Sequence, residues 1–233
     1  MLNLGEVREG ERVLIDGVPW RVSSLGVFTD LENPLLEGGN LRLPMRALSR
    51  LRSRPHDEAE PWFPCREGEW VILSDNTRGK VIQQTPEMVH LILLGGSRKH
   101  YLTADFLAAT PEVLSSNFRV RSVFGIDYEH QKIATTEVPD FLRAAVEREL
   151  LEFVKKKQIQ RIKVEFREAG ASSLDYAIIA DMKGEVADKY EVIKRSLQKA
   201  AVDAANENGW VIPFTQITLH QASPTGEGGD CNQ

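Results

Sequence analysis

A six-residue block recurs in the first half of the chain, and similar segments at a fixed offset build similar units. Arg8-Glu9-Gly10-Glu11-Arg12-Val13 returns 58 residues later as Arg66-Glu67-Gly68-Glu69-Trp70-Val71, identical at five positions of six. Each copy runs through an apolar strand, Val13-Leu14-Ile15 or Val71-Ile72-Leu73, into an Asp turn at Asp16-Gly17 or Asp75-Asn76. A second strand follows around Trp20-Arg21-Val22 and Gly79-Lys80-Val81-Ile82. Further on, Gly38-Gly39 is matched by Gly95-Gly96, and Leu43–Leu48 falls opposite Tyr101–Phe106. Short strands broken by Asp-Gly, Asp-Asn and Gly-Gly turns predict a small, strongly bent β-barrel in each copy. Between the copies, Arg54 to Pro64 carries three prolines and four charges and reads as an extended linker. Its Trp62-Phe63 pair either anchors on a barrel face or packs within its own loop.

From Asn117 the periodicity changes. Phe118 to Gly125 alternates as a strand, and a helix is predicted from about Thr136 to Lys155-Lys156-Lys157. Its stripe is Leu142, Ala145, Val146, Leu150 and Phe153. The lysines suit the negative end of a helix dipole, a solvated role weighed against a face for anions. Ile159 to Phe166 and Leu174 to Ala180 read as strands around the turn Glu168–Ser173. A second helix spans roughly Ala187 to Glu207, with Tyr190, Ile193, Leu197, Ala201 and Ala204 inward and Asn208-Gly209 as its stop. Val211 to Leu219 is the last predicted strand. The order β-α-β-β-α-β is that of the ferredoxin-like split unit.

Composition narrows the function classes. The chain has 233 residues, 42% hydrophobic and 27% charged, with net charge -5, so a globular core is expected, and the element order makes the class α+β. A mildly acidic chain argues against nucleic acid as a partner. No stretch reaches the roughly 20 apolar residues needed to span a bilayer, and the first residues lack a signal peptide's regions, which reads as a soluble polypeptide. Cys65 and Cys231 are far apart and lack a second ligand at metal spacing, and the five histidines are scattered. Gly226 to Asp230 lacks the Lys-Ser/Thr ending of a phosphate loop. We therefore expect no catalytic, cofactor or metal site.

Two segments carry a family resemblance. Phe166-Arg167-Glu168-Ala169-Gly170-Ala171-Ser172-Ser173-Leu174-Asp175-Tyr176 resembles the Gly-x-Ser-Ser turn and following strand of small-conductance mechanosensitive channels. Asn208-Gly209-Trp210-Val211-Ile212-Pro213-Phe214-Thr215-Gln216-Ile217-Thr218-Leu219 is similar to their closing segment: a Gly, an apolar-Pro-aromatic triplet, then Gln and a short strand. Upstream, Arg121–Tyr128 resembles the strand that enters this domain, and the first half resembles the Sm-like β-domain before it. The chain departs from the family in its two β-copies. It also has Met45 and Thr103 in place of the usual Asn, Leu102 in place of Pro, and no pore helices. It reads either as a fragment beginning at the β-domain, the favoured reading, or as a gene product that lost its membrane part.

The repeat, read with the resemblance, gives two Sm-like barrels (1–54 and 65–117) joined by the linker 55–64. A ferredoxin-like domain (118–221) and a disordered tail (222–233) would follow. The resemblance implies a cytoplasmic cage, usually a heptamer, at the face of the cell membrane, through which ions and small osmolytes pass under membrane tension. Its partners would be further copies of itself and the parent's membrane helices upstream of this chain. By residue match, Phe214, Thr215, Gln216, Ile217, Thr218, Leu219 and His220 would form the strand of an oligomer barrel, against the plainer role of fourth strand of the sheet. Gly170, Ser172 and Ser173 are the family-motif turn. Two other readings compete: a soluble module binding RNA or protein, and a ligand-sensing addition to the channel.

Overall fold

The computed structural model describes residues 3–4 and 6–214, and the order of elements is mixed α+β. Strands β1 (Asn3–Leu4) and β2 (Val7–Arg8) pair as a short hairpin. Then come β3 (Arg12–Ile15), β4 (Val18–Ser24), β5 (Phe28–Glu32), β6 (Asn40–Pro44), a 3-10 turn (Met45–Leu48) and β7 (Ser53–Arg54). Next are β8 (Trp70–Ile72), β9 (Arg78–Gln84), β10 (Met88–Leu93), β11 (Arg98–Leu102), helix α1 (Thr103–Ala108) and β12 (Glu112–Val113). The first sheet has the order β6-β5-β4-β3-β7 and the second β11-β10-β9-β8-β12. In both, a four-stranded antiparallel meander is followed by a short strand that returns to its first strand.

The recurrent block makes the same bonds in both places. Gly10 N–H donates to Val22 O and Gly68 N–H to Val81 O, each at 2.8 Å. Val22 N–H donates to Glu11 O at 2.9 Å and Val81 N–H to Glu69 O at 2.8 Å. Gly10 and Gly68 have φ of 80° and 86°, a left-handed conformation that a side chain resists. The β4–β5 pairing slips between Val22 and Ser24, and β9–β10 slips between His90 and Leu91, so each sheet bends at a bulge.

The segments Leu43–Leu48 and Tyr101–Phe106 are not strand throughout. Each leaves its strand through a residue at nearly the same angles, Pro44 at (-64°, 142°) and Leu102 at (-60°, 142°), and then coils. One becomes a 3-10 turn and the other α1, because Leu48 and Phe106 must fold back to cover the open face. The buried residues of both sheets form one cluster, from Val7, Val13, Trp20, Val22 and Leu31 to Val71, Val81, Val89, Leu91 and Phe106. Phe63 and Cys65 of the connecting segment belong to it.

Beyond β12 lie β13 (Asn117–Ile126), α2 (Glu137–Leu151), β14 (Ile159–Ala169), β15 (Leu174–Lys183) and α3 (Tyr190–Asn208), with three strands in the order β13-β15-β14. One compact unit takes in the described residues up to Val120 with Val154–Arg161 and Ala180–Ile193; the other takes in Arg121–Phe153, Ile162–Ile179 and the described residues from Lys194. Every second residue of β15, from Leu174 to Met182, is buried. Helix α2 buries Val138, Leu142, Ala145, Val146 and Leu150. Each buried valine or leucine of that stripe contributes roughly 1.5–3 kcal/mol by leaving water.

Three boundaries differ from the periodicity. Helix α2 stops at Leu151, not at the lysines, because Glu152 and Phe153 donate to carbonyls only three residues back and tighten the last turn. Lys156 and Lys157 sit on a separate 3-10 turn, Lys156–Gln158. Helix α3 begins at Tyr190 after a 3-10 stretch Gly184–Lys189, whose Gly184 lies against Ser115 with no room for a Cβ. The strand predicted from Val211 is not formed over 211–214, and Thr215 to Leu219 lie outside the described residues.

Candidate functional site

The family-motif turn is a closed hydrogen-bonded loop between β14 and β15. Gly170 N–H donates to Ser173 O at 2.7 Å, and the Ser173 hydroxyl donates to Asp175 Oδ1 at 2.6 Å. Tyr128, from the end of the Arg121–Tyr128 segment, donates its hydroxyl to Gly170 O at 2.6 Å. Gly125 of β13 faces the same turn, and a Cβ there would lie 2.9 Å from both Asp175 Oδ1 and Ser173 Cβ. Two of the segments that resemble the channel family, distant in sequence, thus meet at one spot. Ser172 is half-buried in the turn. The arrangement holds a hairpin in place.

Further along the chain is the exit from α3. Gly209 takes φ of 68°, and Trp210 N–H donates to Ala205 O at 2.8 Å, a left-handed helix stop. Trp210 is buried, edge-on to Phe141 with ring centres 6.1 Å apart. Asp127 N–H donates to Val211 O, and Val211 N–H to His130 Nε2, both at 2.9 Å. Those bonds use both backbone groups of Val211, and Pro213 has no N–H to give, which accounts for the lack of strand over 211–214. Beyond the pin, Ile212 is exposed and Phe214 is 86% exposed. The other six residues assigned to an oligomer strand, Thr215, Gln216, Ile217, Thr218, Leu219 and His220, lie outside the described residues.

In the first half the connecting segment is strapped down. Glu60 accepts from Arg12 at 3.2 Å and from Arg54 at 2.8 Å. The Arg54 hydrogen bond holds the Glu60 carboxyl below its usual range. Trp62 lies beneath the guanidinium groups of Arg12 and Arg21, at 5.4 and 5.5 Å, and His56 packs on it at 4.1 Å. The buried Asn33 carboxamide donates to Pro19 O and to Trp62 O. Phe63 stacks on Phe106 of α1. Of the two readings of Trp62-Phe63, anchoring on the sheets is what the structure shows.

Chemistry elsewhere is sparse. Burial pushes the Cys65 thiol up to about 12, with Glu69 adding to it, which leaves little thiolate at neutral pH. Among the described residues no group of three or more His, Cys, Asp or Glu could hold a metal ion. No helix among them is long and apolar enough to cross a membrane. Sequence reading missed two pairings. His90 and His100 face each other across β10 and β11 with ring centres 4.4 Å apart. Arg78 of β9 pairs with Glu191 and lies over the Tyr190 ring at 4.4 Å. Both depend on strand register or on contacts between distant segments, which local periodicity does not encode.

No protein-family model matches the chain, and no curated protein matches it. Among solved structures it is similar to Helicobacter pylori MscS in the closed state, at 17% identity and a TM-score of 0.48. That match covers 69% of this chain and 60% of the other. It is also similar to Arabidopsis thaliana MSL1, at 11% identity and a TM-score of 0.45, over 66% of this chain and 54% of that one. The wild-type form of MSL1 gives 12% identity, the same TM-score of 0.45, and 52% coverage of its length. The match therefore spans less than two thirds of each of these chains.

Proposed function

We propose that this chain is the cage-forming, cytoplasmic part of a small-conductance mechanosensitive channel, built from two Sm-like barrels and a ferredoxin-like unit. It would act without catalysis, as a self-assembling vestibule for ions and small osmolytes. The observation that carries the reading is the joining of Gly125 and Tyr128 to the Gly170–Ser173 turn. The exit of the chain supports assembly. Ile212 and Phe214 project from a pinned Trp210-Val211, and a chain leaving there can pair with neighbouring copies, a natural use of an exposed apolar end. The seven-fold ring is what the family resemblance implies.

Native mass spectrometry of the whole chain over a concentration series tests the assembly. A closed ring is expected, and Phe214→Asp should shift it toward monomer without changing the circular dichroism spectrum. A monomer at every concentration for the unmodified chain, or a ring indifferent to Phe214→Asp and Ile217→Asp, overturns the cage reading.

A further inference from the structure

One basic stretch of the chain lies in the first sheet. Residues 42–54 hold five arginines, Arg42, Arg46, Arg50, Arg52 and Arg54, and no Asp or Glu, in a chain of net charge -5. Three of them are neutralised locally: Arg42 by Asp30 at 3.7 Å, Arg52 by Glu6, and Arg54 by Glu60. Arg46 and Arg50 are exposed, and their guanidinium groups make no hydrogen bond or ion pair with any described residue. A solvated arginine is ordinary, but these two stand on the wall of a cavity.

That cavity has a volume of about 770 Å3. Its floor is aliphatic, made by Val7, Leu25, Met45, Leu48 and Leu51, while Arg46, Arg50 and the Arg52–Glu6 pair stand among its walls. Val27, at the neighbouring β4–β5 turn, is 80% exposed, and its carbonyl accepts from Met45 N–H at 3.1 Å. Phe28, opposite Pro44 in the β5–β6 register, is half exposed under Arg42. Exposed apolar side chains thus sit beside an aliphatic hollow and two guanidinium groups that have no counter-charge among the described residues.

We propose that this face docks on an anionic membrane surface, with one phospholipid's phosphate between Arg46 and Arg50 and the top of an acyl chain in the cavity. Guanidinium groups match phosphate oxygens in a bidentate way, and the apolar floor removes hydrocarbon from water. Anionic leaflets attract cationic side chains, and insertion of exposed apolar groups adds to the attraction. RNA fits less well, because the described lining holds no aromatic face on which a base could stack. The inference uses the first sheet alone and does not depend on the channel reading.

Co-sedimentation with vesicles tests it. The whole chain should bind phosphatidylcholine vesicles containing phosphatidylglycerol, and bind pure phosphatidylcholine at least tenfold more weakly. Each of Arg46→Gln and Arg50→Gln should lower affinity about fivefold at low salt. Arg98→Gln, on β11 of the second sheet, should leave it unchanged. Both cavity arginines are exposed, so the variants are expected to keep the parent's thermal midpoint. A dye attached through Ser49→Cys in a Cys231→Ala background should shift to the blue on the anionic vesicles. The proposal fails if pure phosphatidylcholine binds equally, or if the two variants bind like the parent. It also fails if RNA rather than vesicles is retained with the same dependence on Arg46 and Arg50, or if the same substitutions change only self-association.

Discussion

Cys65 shows how burial alone sets chemistry at the residue scale. Its side chain is 2% exposed and its thiol is raised from 9.0 to about 12, with desolvation the larger cause and Glu69 the smaller. The fold therefore keeps the proton at pH values where the unfolded chain releases it. Above 9.0 the unfolded state binds fewer protons, so stability falls as pH rises toward about 12 and is fully retained below 9.0. Urea unfolding should show a loss approaching about 1.4 kcal/mol per pH unit in that window, and Cys65→Ala should flatten the slope while lowering stability at neutral pH. Tyr176, also raised to about 12 by burial, adds a smaller fall beginning near 10.0. A slope unchanged in Cys65→Ala would show that the thiol is not the group responsible. In the folded chain with Cys231→Ala, iodoacetamide should leave Cys65 unmodified at neutral pH.

At the scale of elements, the strap between the sheets depends on a carboxylate. Glu60 is held below its ordinary range first by its hydrogen bond from Arg54, then by the charges of Arg54 and Arg12. A depressed carboxylate contributes stability above its unfolded value and loses that contribution as pH falls through the folded one. Proteolysis within Asp57–Ala59 should therefore accelerate as pH drops below the usual carboxylate range, measured with an acid-active protease. Glu60→Gln should cleave faster than the parent at neutral pH and show little further change in acid. Equal cleavage of parent and variant at neutral pH would mean that Trp62 and Phe63 hold the strap without the ion pairs. The charges of this strap were legible in sequence, but their partners were not. Arg12 lies 48 residues from Glu60, and only the β3–β7 pairing brings Arg54 alongside Arg12.

At the scale of the whole unit, the two sheets share one buried cluster in place of two. Gln84 ties them further, donating to Leu35 O and Cys65 O, while Glu37 N–H donates to Gln84 O. Neither sheet alone would bury these groups, so the two should unfold together. Val22→Ala in the first and Val81→Ala in the second should each lower hydrogen-exchange protection across both sheets, at a cost of about 1–3 kcal/mol. Protection lost only in the substituted sheet would establish two independent folding units. For the channel reading, size matters in the same way, since a ring is a property of many copies and not of any residue in one.

Much of the local order of strands and helices was determined by the sequence itself, because side-chain period and turn residues act over a few neighbours. Gly10 and Gly68, the β15 alternation and the α2 stripe are all of this kind. Helix ends were less legible, since Leu151 and Gly184 are set by a tightened last turn and by Ser115. Only the tertiary structure decided that Trp62 is an anchor, and that Gly125 and Tyr128 close on the Gly170–Ser173 turn. It alone left Arg46 and Arg50 without a partner among the described residues, beside an aliphatic floor. The recurrent block and the five arginines can be read along the chain, but what each one meets depends on contacts between distant segments, which no local pattern records.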